Sequence, residues 1–213
     1  PSAMTRSIEQ NHVTTMHFVP SMLSVFLDYL ESSGESHRCN SLHQVFASGE
    51  ALDTHHVERF YKLLKTSGNP NVRLINLYGP TEATVDVTYY NCSADDPGHV
   101  VPIGKPIDNT ALYIVDNNMH LQPVGIPGEL CIAGIGLARG YLNRPELTAE
   151  KFTTLQLPVN GALTAVPLYR TGDLARWMPD GNIEFLGRID HQVKIRGFRI
   201  ELGEIKHRLL MHD

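Results

Sequence analysis

Residues 13–20 (VTTMHFVP) are rich in β-branched and aromatic side chains and close on a proline. The next ten (SMLSVFLDYL) place Met22, Leu23, Phe26, Leu27 and Leu30 at helical spacing, so a strand followed by a helix is expected. HQVFASG reads as a second short strand. Asp53 is then placed to cap a helix in which Val57, Phe60, Tyr61 and Leu64 recur at helical spacing, up to the stop at Gly68, Asn69 and Pro70. VRLINLYG reads as a buried strand. Strands alternating with helices in this way point to a largely parallel α/β sheet with flanking helices over residues 1–95.

Beyond Asp95 the texture changes. Pro97, Pro102, Pro106, Pro123, Pro127 and many glycines punctuate short strands such as ALYIVD, GELCIAG, LARWM and NIEFLG, which makes residues 96–189 a β-rich unit. Pro179-Asp180-Gly181 predicts a hairpin turn, and Arg196-Gly197 between QVKI and FRIE predicts a second. From Leu202 a helix is expected, with Ile205, Leu209 and Leu210 on one face.

Composition narrows the classes. The 213 residues suffice for a real core, and 18 Lys plus Arg against 23 Asp plus Glu leave a net charge of −5, opposite in sign to a binder that works by neutralising nucleic-acid phosphates. The basic stretch over residues 188–208 is a local feature. Cys39, Cys92 and Cys131 lie far apart, which suggests neither a zinc knuckle nor a disulfide framework and fits a reducing cytoplasm. No apolar run approaches a membrane span, and the first thirty residues lack the sections of a signal peptide. The chain starts at Pro1 and stops at Asp213 inside the last expected helix, so both ends read as cuts in something longer.

P-loop, zincin and nucleophile-elbow motifs are missing from the sequence. GIGLARG, with Gly134, Gly136 and Gly140, has the wrong spacing for a dinucleotide fingerprint and reads as a tight turn. The histidines show no metal-ligand spacing, and His55 and His56, near a helix start, are expected to be solvated.

Four segments carry more. They are NLYGPTEATVD (76–86), GELCIAGIGLARGYLNRPELTAEKF (128–152), LYRTGDLARWMPDGNIEFLGRID (168–190) and HQVKIRGFRIELGEI (191–205). In order and separation they resemble the adenylation domains of nonribosomal peptide synthetases, within the adenylate-forming enzymes. Tyr78 on its Gly79-Pro80 turn can stack on a planar base, Thr81 offers a hydroxyl to a phosphate oxygen, and Glu82 is a hard carboxylate suited to Mg²⁺. Asp173, after Thr171-Gly172 at a strand start, can accept ribose hydroxyls, and Arg188 suits ribose and phosphate oxygens. Taken alone, Tyr78 would read as a core tyrosine and an isolated Asp or Arg as a solvated charge.

The resemblance implies catalytic roles for Thr81, Glu82 and Arg188, with Glu82 on the metal, and nucleotide contacts from Gly49, Glu50, Ala51, Asn76, Tyr78 and Asp173. Asp190 matches the family's hinge, with Lys194, Arg196 and Arg199 beyond it on a small moving subdomain. The amino-acid pocket carries over onto His17, Phe46, Ser48, Leu77, Val85 and Asp86, a set resembling serine-selecting members. Polar groups clustered in a small pocket suit a short side chain ending in a hydroxyl; a close small polar analogue stays open.

The implied fold is part of a largely parallel sheet with flanking helices (1–95), a β-rich barrel-like subdomain (96–189), and a hinge and truncated C-terminal α+β subdomain (190–213). The family's glycine-rich phosphate loop and the Asp that holds the substrate ammonium would precede residue 1, and its catalytic lysine would follow residue 213. ATP, Mg²⁺ and carrier-bound phosphopantetheine are the implied cofactors. L-serine, carrier and condensation domains and a small MbtH-like accessory protein are the implied partners, with no nucleic acid or membrane. A non-catalytic nucleotide- or partner-binding module on the same fold is the alternative.

Overall fold

The computed structural model describes residues 1–95, 100–159, 162–190, 192–200 and 202–211. In chain order its elements are α1 (Ser2–Gln10), β1 (Thr15–Phe18), α2 (Pro20–Ser33), β2 (Gln44–Ala47), α3 (Thr54–Thr66), β3 (Arg73–Tyr78), β4 (Thr88–Asn91), β5 (Lys105–Pro106), β6 (Thr110–Val115), β7 (Gly128–Gly134), α4 (Pro145–Lys151), β8 (Phe152–Val159), β9 (Ala162–Trp177), β10 (Ile183–Arg188), β11 (Val193–Ile195), β12 (Phe198–Ile200) and α5 (Leu202–Leu210). They fall into two compact units. The first comprises Pro1–Leu77, Tyr90–Val101 and Gln192–Asp213, the second Tyr78–Tyr89 and Pro102–His191.

In the first unit β1, β2 and β3 run parallel, with His17 opposite Phe46 and Phe46 opposite Ile75. Parallel strands need crossovers, and α2 and α3 supply them. Pro20 opens α2 where a missing N–H costs nothing, and Gly34 closes it in the left-handed region at φ 69°. The carboxylate of Asp53 accepts from the His56 backbone N–H at 2.8 Å, so it caps α3 as expected. The same oxygen lies 2.6 Å from His56 Nδ1, which corrects one expectation: His56 is half-buried against the cap rather than solvated. Leu23, Phe26, Leu27 and Leu30 of α2 meet Val57, Phe60 and Leu64 of α3 in the core. Met22 shares the spacing but is 55% exposed. In β3 the consecutive residues Leu74, Ile75 and Asn76 are all buried, as befits a strand covered on both faces.

The Arg196-Gly197 hairpin forms between β11 and β12, with φ of 53° and 79° at its two turn residues. The α5 helix follows, and Ile205, Leu209 and Leu210 on it are exposed.

In the second unit the sheet order is β10-β9-β7-β6, with β8 paired to β9. The expected barrel-like shape does not close among the described residues: β8 pairs with the first half of β9, β6 and β10 are not paired, and β10 bridges beyond β9 through Ile183 to Gly104. Period-2 alternation along β7 sends Leu130 and Ile132 into one core with Leu112, Ile114 and Tyr169, and Cys131 and Ala133 into another with Leu155 and Leu168. The turn over residues 178–182 closes the β9–β10 hairpin, with Met178 N–H donating to Asn182 O at 2.8 Å. No helix among the described residues is long and apolar enough to cross a membrane.

Candidate functional site

The T-G-D segment is where the second sheet departs from regularity. Glu129 of β7 pairs with Leu174 of β9, and Cys131 pairs with Arg170, so two steps along β7 face four along β9. Thr171, Gly172 and Asp173 therefore form a bulge inside the 16-residue β9, not the strand start expected from sequence. Bulges re-aim side chains, and this one is pinned on every side. The Thr171 hydroxyl donates to Leu130 O at 2.6 Å and accepts from Asp173 N–H at 2.9 Å. Glu129 accepts from Gly172 N–H at 3.1 Å through one oxygen and from Arg170 through the other. Gly172 has φ 71°, and a Cβ there would come within 3.0 Å of Asp190 Oδ2 and 3.1 Å of Arg188 Nη2.

Asp173, only 6% exposed, is the centre of a charged cluster. Arg188, at the end of β10, donates from Nη1 to Asp173 Oδ1 and to Thr171 O, both at 2.9 Å, and its remaining face forks onto Asp190. The Tyr78 hydroxyl donates to the other Asp173 oxygen. Burial works against the Arg188 charge, but the Asp190 hydrogen bond and the two carboxylates outweigh it and hold the guanidinium firmly protonated. Burial, with the Asp173 charge beside it, pushes Tyr78 well above the usual phenol value, so it remains a donor. Its ring packs in the core 6.3 Å from Phe185. Tyr78 is thus a core residue, as a lone tyrosine is expected to be, with its hydroxyl on a buried carboxylate.

Glu82 lies in the same unit on a 3₁₀ turn, Thr81–Ala83. The preceding Gly79 admits no side chain, since a Cβ would stand 2.2 Å from Val85 O. Glu82 is buried and accepts from the Tyr141 hydroxyl at 2.7 Å, while Thr81 is exposed. Burial and the bond to Glu82 raise Tyr141, keeping its proton in place. Sequence reasoning does not single out Tyr141 and Glu129, although both fall in the 128–152 segment; the pairing of acid with phenol across 59 residues has no local signal. Val85, at 59% exposure, and half-buried Asp86 follow on the same turn.

In the first unit His17 Nε2 lies 2.7 Å from Ser48 Oγ, and the His17 ring meets Phe46 edge-on at 6.4 Å. Parallel pairing of β1 with β2 brings these three together. Leu77 is half-buried near the end of β3, next to buried Asn76. Glu50 accepts from Ser21 N–H at 3.1 Å and from Gly197 N–H at 3.0 Å. Burial works to raise its pKa, but the bonds from Ser21, Gly197 and Arg196 prevail and hold the carboxyl below its ordinary value. Gly49 takes φ 89°, and Ala51 is exposed. The side chains of Lys194 and Arg199 lie outside the described residues, as do those of His99, His191, His207 and His212.

Residues 1–142 match the family described as AMP-binding enzyme, and the chain belongs to that family. It is similar to proteins of nonribosomal peptide synthesis. A mycosubtilin synthase protein of Bacillus subtilis is 57% identical over 209 residues, covering 97% of this chain and 8% of that protein. Zwittermicin A synthase ZmaJ of Bacillus cereus is 55% identical over 211 residues, covering 99% and 38%. Among solved structures, holo-PA1221, a synthetase protein containing adenylation and PCP domains and bound to a vinylsulfonamide inhibitor, superposes with a TM-score of 0.86 at 30% identity, over 100% of this chain and 35% of that one. An artificially fused adenylation-PCP di-domain from Klebsiella oxytoca, NpsA-ThdA, gives 0.81 at 30% identity, over 99% of this chain and 40% of that one. The chain thus spans well under half the length of each of these relatives.

Proposed function

We propose that the domain containing this chain activates an amino acid with ATP. A carboxylate oxygen of the amino acid attacks the α-phosphorus, the bond to the β-phosphate breaks, and pyrophosphate leaves. The thiol sulfur of a carrier's phosphopantetheine then attacks the acyl carbon, AMP departs with the bonding pair, and a thioester remains. The observation that carries this reading is the bulge-mounted Asp173, pinned by Tyr78 and Arg188, in a chain of this family.

The roles follow from chemistry. Asp173 is a charged acceptor held in place by Tyr78 and Arg188, and a carboxylate so oriented suits ribose hydroxyls. Arg188, locked in its charged form, faces the oxygens that gain charge as the anhydride forms. Thr81, exposed on its turn, bonds a phosphate oxygen, and residues 49–51, Asn76 and Tyr78 line the base. No trio of metal-ligating side chains occurs among the described residues. Mg²⁺ is commonly held by one or two carboxylates with phosphates and waters filling the rest, and Glu82 would be such a carboxylate. Bound there, the cation would neutralise phosphate charge. The division of the chain into two units falls close after Asp190, which supports a hinge there.

For the amino acid we propose L-serine, with His17, Phe46, Ser48, Leu77, Val85 and Asp86 lining its side chain. The His17–Ser48 pair supports this, because a hydroxyl and an imidazole 2.7 Å apart can extend their hydrogen bonding to a further hydroxyl. Carrier and condensation domains are the proposed partners, an MbtH-like protein a further one, and the cytoplasm the proposed site of action. Amino-acid-dependent exchange of pyrophosphate into ATP by the intact domain tests the reading. Exchange driven by serine supports it; ATP binding without exchange for any amino acid would make this a non-catalytic binding module.

A further inference from the structure

The turn that carries Glu82 is strained. Thr84 and Val85 follow it at φ 62° and 74°, two β-branched residues in succession in the left-handed region. Such residues each cost about 1 to 3 kcal/mol there and persist only where the surroundings over-determine them. What over-determines them is the loop over residues 134–141, the segment that reads from sequence as a plain tight turn.

That loop grips the Glu82 turn at three points. Thr84 Oγ1 donates to Gly136 O at 2.7 Å, Ala138 N–H donates to Glu82 O at 2.8 Å, and the Tyr141 hydroxyl donates to Glu82 Oε1 at 2.7 Å. One bond holds the backbone of the turn, one the Thr84 side chain and one the carboxylate. Tyr141 is itself held from behind. Its N–H donates to Thr148 Oγ1 at 2.9 Å, and its ring stands edge-on to Phe152 at 5.6 Å, with Phe152 against Tyr169 in turn. Gly140, at φ 136°, lets the chain pass so close to Thr148 that a Cβ would meet its methyl at 2.4 Å. A phenol braced in this way has its hydroxyl directed at Glu82, at 2.7 Å, with the Tyr169 hydroxyl farther off at 3.5 Å.

We propose that Tyr141 is a positioning residue for the cation site. By tying one Glu82 oxygen, it sets the carboxylate rotamer in which the group meets a phosphate-bound divalent cation, while the 134–141 loop supports the strained turn beneath. The proposal rests on Glu82 being the metal carboxylate. Tyr141 touches no substrate and acts only through Glu82.

The test is Mn²⁺ binding to the intact domain in the presence of ATP, followed by electron paramagnetic resonance, so that the readout is cation affinity and not turnover. Tyr141→Phe keeps the ring against Phe152 and removes only the hydroxyl. It should weaken Mn²⁺ about tenfold, the scale of one hydrogen bond to a charged group, and leave ATP affinity in chelator unchanged. Thr84→Val, which removes the Gly136 anchor without touching Tyr141, should weaken Mn²⁺ as well, by a smaller factor. In a Glu82→Gln background, Tyr141→Phe should add nothing. If Glu82→Gln itself leaves Mn²⁺ affinity intact, the assignment of Glu82 to the metal fails. If Glu82→Gln weakens Mn²⁺ while Tyr141→Phe and Thr84→Val do not, or if Tyr141→Phe lowers only the melting temperature, the positioning role is overturned.

Discussion

Replacing Asp173 by asparagine preserves the shape of the side chain and removes its charge, which separates two contributions of this residue. Toward the nucleotide, a carboxylate can take two ribose hydroxyls at about 1.5 to 3 kcal/mol each, whereas the amide keeps one acceptor oxygen. Losing one such bond corresponds to about 10- to 150-fold in ATP affinity. Toward the fold, Arg188 loses one partner but keeps Thr171 O and Asp190, and its side chain is 18% exposed. Removing one partner of a buried pair outright is worth about 3 to 5 kcal/mol, so with these substitutes in place a loss of about 1 to 3 kcal/mol is expected. Calorimetric titration of the intact domain with ATP gives the first quantity and urea denaturation the second. Apparent affinity for the amino acid, read from pyrophosphate exchange at saturating ATP, should hardly move. An equal loss for ATP and amino acid would refute the reasoning, since it would mean that Asp173 supports the whole site and not the nucleotide alone.

Leu130→Ala, at a fully buried position on β7 beside the T-G-D bulge, should destabilise by about 2 to 5 kcal/mol in urea denaturation; a change under about 1 kcal/mol would mean that the sheet is packed differently. Burial pushes the Cys39 and Cys131 thiols up to about 12, so both should resist iodoacetamide at neutral pH in the native protein and react in denaturant, as peptide mass mapping would show. The Glu50 carboxyl sits below its ordinary value in the folded protein, so its contribution to stability is complete above the unfolded-state value and is lost as pH falls through the folded one. Denaturation midpoints between roughly pH 5 and pH 3 should therefore drop more steeply for the wild type than for Glu50→Gln, and parallel curves would discount the bonds to Ser21 and Gly197.

What can be read directly is local. The α2 period is plain because Leu23, Phe26, Leu27 and Leu30 face a single core, and the hairpin at Arg196-Gly197 because turn chemistry is carried by adjacent residues. Met22 shows the limit: the same spacing places it in the stripe, yet it sits at the stripe's edge and stays in solvent. Asp173 can be picked out through its motif, but its bulge cannot, since that depends on how β7 and β9 register across more than forty residues. Glu129 is invisible for the same reason, and Tyr141 because its partner Glu82 reaches it from a turn 59 residues away and not from a neighbour in the chain. That β6 and β10 are not paired is likewise a matter of long-range strand order, which strand count alone does not give.

The central claim is amino-acid activation with serine as the acid, and its most direct measurement is the intact mass of the carrier domain after incubation of the whole synthetase module with ATP, Mg²⁺ and an equimolar mixture of amino acids. The phosphopantetheine arm should gain one seryl group, and should stay bare when the module carries Asp173→Ala. A carrier that remains unloaded in the wild type, or that takes up an aromatic or aliphatic amino acid in preference to serine, would contradict it.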